Sequence, residues 1–104
     1  RAVESPELPE KMELVPLKGQ GERVEHEGIL RHVGFLFGRP TRYRLVRMDG
    51  PRAETLCYTY GNNQQLSAFN GERLLLRGRS YWVQGVDRPV VVVEQIIPHA
   101  GSEP

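Results

Sequence analysis

The sequence predicts an all-β fold, in which five short extended segments curl into one small barrel. Between Asn70 and Ile97, Leu74 and Leu76 alternate with Arg73 and Arg77, and Val90–Val93 form an apolar β-branched run, the pattern of two strands. Upstream, Arg42 and Arg44 alternate with Tyr43 and Leu45, and Asp49-Gly50-Pro51 turns the chain into a further run, Glu54–Tyr60, as in a hairpin. In the first connection, Gly34-Phe35-Leu36-Phe37-Gly38-Arg39-Pro40, glycines at both ends and a proline argue against helix.

Taken in order, residues 1–22 carry Pro6, Pro9, Pro16, Gly19 and Gly21 among many charges and read as a Pro/Glu-rich linker or disordered tail. Within them, Met12–Leu17 has the makings of a short edge segment, with Pro16 barring a central position. The barrel domain is expected over residues 23–98. Its first strand is Val24–Val33, where Gly28 marks a bulge or a sharp coil. Thr41–Met48 is the second strand. Glu54–Tyr60 is the third, with Leu56, Tyr58 and Tyr60 on one face and Thr55, Cys57 and Thr59 on the other.

Gly61-Asn62-Asn63 ends that strand, and Gln64–Phe69 has room for a single helical turn with Leu66 and Phe69 facing inward. Asn70-Gly71 then opens the fourth strand. Ser80–Gly85 reads as a long connection that holds the one tryptophan, Trp82. In the fifth strand, Val91 and Val93 share a face whose parity Ile96 does not continue, so a bulge is expected at Glu94-Gln95. Residues 99–104 are expected to be a disordered tail. Three strands, a short helix, a strand, a long loop and a strand is the connectivity of a five-stranded OB-like Greek-key barrel, with its helical turn between strands three and four. An SH3-like barrel is the main rival.

At 104 residues the chain has the size of one domain with a small but real core. It begins with Arg1, as a processed or trimmed piece does. No apolar run approaches the roughly 20 residues that a membrane-spanning helix needs. The lone cysteine, Cys57, allows no internal disulfide and reads as a small buried hydrophobe. The net charge of +1 conceals an asymmetry: the first 27 residues are acidic, whereas every cation of residues 28–98 is an arginine. That is the composition of an anion-binding face, or of a high-GC genome that encodes arginine in place of lysine.

Catalytic and metal-binding constellations are missing from the sequence. His26, His32 and His99 match no common ligand spacing, and no serine has an elbow-like glycine context or a histidine–carboxylate partner. No glycine cluster leads into a helix as a phosphate loop would. The expected protein is therefore not an enzyme and needs no cofactor.

Two binding surfaces are suggested instead. The loop Tyr81–Arg88 presents Tyr81, Trp82 and Gln84 beside Arg79 and Arg88, and tryptophan, tyrosine and arginine are the residues that anchor interfaces. The opposite outcome, a loop folded back with Trp82 buried, has equal standing. The second surface is Arg42 and Arg44 with Tyr60. Single-stranded nucleic acid would use such arginines with exposed rings as stacking platforms, but parity groups Tyr43 and Tyr58 with core leucines and leaves Tyr60, Tyr81 and Trp82 for that role.

The residues Glu27-Gly28-Ile29-Leu30, Tyr43-Arg44-Leu45-Val46, Phe69-Asn70-Gly71-Glu72-Arg73, Gly78-Arg79-Ser80-Tyr81-Trp82-Val83-Gln84-Gly85 and Arg88-Pro89-Val90-Val91-Val92-Val93 form a pattern over about residues 22–98. It resembles the C-terminal domain of exported bacterial SH3 (SH3b) domain-containing proteins. The segment from Tyr81 to Gly85 with Pro89 is its most specific part. The resemblance implies a periplasmic or cell-envelope location, a preceding linker and SH3b modules, and no catalytic residue. The expected function is a non-enzymatic interaction module whose partner is a protein or a cell-wall component. The alternative is a cytoplasmic single-strand nucleic-acid binder, and the sequence does not specify the oligomeric state.

Overall fold

The computed structural model describes residues 2–3, 12–33 and 40–98. The expected loop at Gly34–Arg39, the tail after Pro98 and most of the first eleven residues lie outside these. The elements are β1 (Glu22–His32), β2 (Tyr43–Asp49), β3 (Arg52–Tyr60), α1 (Asn63–Ser67), β4 (Arg73–Tyr81) and β5 (Val90–Pro98). The strands close in the order β1-β2-β3-β5-β4, with β4 returning to β1. This is the five-stranded barrel that the pattern of elements predicts, with its one short helix between the third and fourth strands. Every neighbouring pair is antiparallel except β3 and β5, which run parallel over Tyr58–Tyr60 and Val90–Val92.

β1 is the strand that closes the ring. It pairs with β4 from Glu22 to Ile29 and with β2 from Ile29 to His32. At the change of partner stands Gly28, where an added Cβ would lie 2.5 Å from the Val46 carbonyl oxygen. A side chain would force the strands apart, so the glycine allows a sharp coil and not a bulge. Gly78 of β4 has the same role against the Val92 carbonyl.

Two irregularities set which side chains face inward. Glu94 is the extra residue opposite Arg77 and Gly78, and it restores Ile96 to the core side after Val91 and Val93, as the break in parity predicts. A second shift, which the sequence does not announce, leaves Leu56 as the extra residue of β3 between Cys57 and Thr55. It corrects the expected face assignment, because Cys57, not Tyr58, joins the barrel interior. Ser80 and Tyr81, expected in the loop, extend β4.

The interior is filled by Leu30, Tyr43, Leu45, Cys57, Leu74, Leu76, Val91, Val93 and Ile96. Each large aliphatic chain so buried contributes roughly 1.5–3 kcal/mol relative to exposure. The helical turn adds Leu66 and Phe69 to the same core. Its start is capped by the Asn62 side chain, which accepts from the amides of Gln64 and Gln65. Val3 also reaches this core, and its amide donates to the Glu94 carbonyl at 2.9 Å, inside the β5 bulge. Tyr58 projects to the opposite side of β3 from Cys57 and forms a second cluster with Val83 and Val90, flanked by Met12, Tyr60 and Val86.

Candidate functional site

The β4–β5 connection does not stand alone. Residues 12–21 lie across it as a strap. Leu14 makes an isolated antiparallel bridge with Val83, the Val15 amide donates to the Trp82 carbonyl at 2.9 Å, and the Gln84 amide donates to the Glu13 carbonyl at 2.8 Å. Gln20 completes the fastening through its side chain. Its amide nitrogen donates to the carbonyls of Trp82 (2.9 Å) and Val15 (2.8 Å), and its amide oxygen accepts from the Trp82 N–H at 2.7 Å. A side-chain amide thus stands in for a strand neighbour.

Val83 is buried between strap and barrel, while Trp82 remains 41% exposed. Leu14 (38%) and Leu17 (47%) of the strap are the nearest exposed large apolar residues in sequence to these fastenings. Of the two outcomes left open for the loop, fold-back applies to Val83 and exposure to Trp82. Tyr81 is half-buried: its ring lies against Gly21, where even a Cβ would come 3.3 Å from the hydroxyl. Arg79 reaches beneath the strap, donating to the Gly21 carbonyl at 3.0 Å with Glu94 at 3.7 Å. Gln84 is exposed and its side chain donates to the Leu14 carbonyl at 3.3 Å.

The other expected residues gather elsewhere. Arg44 is half-buried and donates through Nη1 to the Thr55 hydroxyl at 2.8 Å. Arg88 donates through Nε to the Thr55 carbonyl at 3.0 Å. Thr55, which the sequence did not single out, is therefore where the two proposed surfaces meet. Tyr60 is half-buried against the Tyr58 cluster, and Arg42 is exposed just before β2 without joining the others. Gln20 and Thr55 carry no motif by which a sequence reading would find them.

A groove of about 430 Å³ runs along the outer side of β1, β4 and β5 and is lined by Arg23, Glu25, Arg77 and Glu94 among others. Its charges are largely paired: Arg77 bonds Glu25 at 2.6 Å and lies 3.4 Å from the Gln95 side chain. Such exposed pairs add little stability, but they leave little unmatched charge for a ligand. Among the described residues no cluster of histidine, cysteine, aspartate or glutamate could hold a metal ion. No helix among them is long and apolar enough to cross a membrane.

No protein-family model, no curated protein and no solved structure matches this chain.

Proposed function

We propose that this chain is a non-enzymatic interaction module of an exported bacterial protein of the SH3b type, located in the cell envelope, whose contact surface is the strapped loop around Trp82. One observation carries the reading: a tryptophan that is 41% exposed has both its backbone N–H and its carbonyl held by hydrogen bonds. A ring on a fixed backbone loses little freedom when a partner covers it, and large rings in that setting dominate interface energies. Leu14 and Leu17 of the strap are exposed as well. The envelope location draws its support from the resemblance of the Tyr81–Gly85 and Pro89 segment, and the partner is a protein or a cell-wall component.

The nucleic-acid alternative has weaker support. Tyr43 and Tyr58 are buried and Tyr60 and Tyr81 half-buried, so few faces remain for bases to stack on.

Trp82 is the one tryptophan in the chain, so its emission reports on this loop alone. Titration with solubilised cell-wall fragments, and separately with fractionated envelope proteins, should shift that emission to the blue. Trp82→Ala should abolish retention on the same ligand at unchanged melting temperature. No spectral response to either class of ligand, or retention that survives the substitution, would remove the proposal.

A further inference from the structure

The outer face of β1–β2–β3 carries an electrostatic arrangement that the barrel itself does not need. Arg31 of β1 stands directly opposite Arg44 of β2. The preceding pair in the register, Leu30 opposite Leu45, points into the core, so both arginines project outward. Like charges directly opposite one another on antiparallel strands are destabilising. Three other arginines of the strands are matched, Arg47 with Glu54 at 2.8 Å, Arg77 with Glu25, and Arg79, which itself stands opposite Arg23, with Glu94. On this face, among the described residues, no carboxylate pairs with Arg31, Arg44 or Arg88.

The guanidinium groups of Arg44 and Arg88 nonetheless have fixed positions, while that of Arg31 is exposed. Thr55 accepts from Arg44 through its hydroxyl and from Arg88 through its carbonyl, which brings the two side chains to one residue. Arg88 also donates to the Asp87 carbonyl at 3.3 Å. The Nε of Arg44 is buried with no hydrogen-bond partner. A guanidinium carries five N–H donors in a rigid fork suited to two-point capture of an oxyanion. Most of those on Arg31, Arg44 and Arg88 have no acceptor among the described residues.

We infer that Arg31, Arg44 and Arg88 form a docking site for the carboxylates of an acidic peptide segment. Phosphate would satisfy the same forks, but single-stranded nucleic acid also needs rings to stack on. The rings on this face serve poorly, because Tyr58, opposite Arg44, is 2% exposed and Tyr60 is half-buried against it. A peptide carboxylate asks only for the arginines. The site adjoins the Trp82 loop through Arg88 but does not use Trp82, so its test is independent of that reading.

The test uses the full chain with a short fluorescein-labelled oligoglutamate and, at matched charge, a labelled oligothymidylate. The wild type should bind oligoglutamate at low salt and lose most of that affinity at about 200 mM salt. Arg31→Gln and Arg88→Gln should each weaken binding by about tenfold or more, the equivalent of one lost charge-assisted hydrogen bond. Without ligand, Arg31→Gln should melt no lower than the wild type, because it relieves the repulsion from Arg44. Better folding with poorer binding is a combination that a purely structural arginine would not give. Binding of oligoglutamate that neither substitution affects, or no binding at low salt, overturns the inference. Tighter binding of the oligothymidylate overturns the assignment to peptide.

Discussion

The side chain of Gln20 grips both backbone polar groups of Trp82, at 2.7 Å to its N–H and 2.9 Å to its carbonyl. Residues far apart in sequence are joined as though they were neighbours in a sheet. Gln20→Ala should cost about 1 kcal/mol of stability, because water can replace part of what is lost at this exposed edge. Amide exchange at Trp82 and Gln84 should quicken much more than exchange in β4. Unchanged protection at Trp82 would show that the strap does not hold the loop.

The two close-packed glycines make a graded series. Gly78→Ala drives a Cβ into the Val92 carbonyl, and Gly28→Ala places one 2.5 Å from the Val46 carbonyl. The obstacles are backbone atoms that cannot rotate away, so each substitution should cost about 3 kcal/mol or more. Gly50→Ala meets nothing within 4 Å but must hold a φ of +62°, which should cost only about 1–2 kcal/mol. Denaturant midpoints measure all three. A Gly50 variant less stable than the Gly28 variant would contradict the geometry.

Burial pushes the Cys57 thiol up from 9.0 to about 12. The folded chain thus keeps a proton that the unfolded chain gives up above pH 9. The stability tied to Cys57 is complete below pH 9 and is lost as the pH rises towards 12, by up to about 1.4 kcal/mol per pH unit. Subtracting the alkaline stability profile of Cys57→Ala isolates this slope from other titrations. The native thiol should also resist a thiol reagent at pH 8 that labels the unfolded chain. Equal labelling of both states would refute its burial.

Thr59 is 1% exposed, and its hydroxyl has no hydrogen-bond partner among the described residues. An unsatisfied buried hydroxyl carries a desolvation penalty of about 1–3 kcal/mol. Thr59→Val removes it with little change of shape and should raise the unfolding free energy by about 1 kcal/mol. A loss of similar size would mean that the hydroxyl has a partner.

The architecture was legible wherever a break in pattern coincided with a structural event. The switch in parity between Val93 and Ile96 marks the Glu94 bulge, and Leu66 with Phe69 marks the inward face of the helical turn. The bulge at Leu56 left no such mark. Leu56, Cys57 and Tyr58 are all at home in apolar surroundings, so either parity satisfies the hydrophobic pattern and only the pairing with β2 decides. The candidate site was legible in part. Trp82 could be singled out as the large ring of the β4–β5 connection, and it is 41% exposed, but Gln20 acts through a side chain that imitates backbone, which no periodicity records. The opposition of Arg31 and Arg44 depends on strand register and is invisible in the linear order.

The divided pairing of β1 has a consequence for how the protein is made. β1 is synthesised first among the strands, yet Glu27 must wait for Leu75 and Ile29 for Arg73. At about 5–20 residues per second that delay lasts on the order of seconds. During it the nascent chain holds an unpaired strand edge, which is the kind of surface that recruits other chains. Glu22, Arg23, Glu25 and Glu27 stud that part of β1 with charge, and charged side chains are what disfavours edge-to-edge pairing of such a strand.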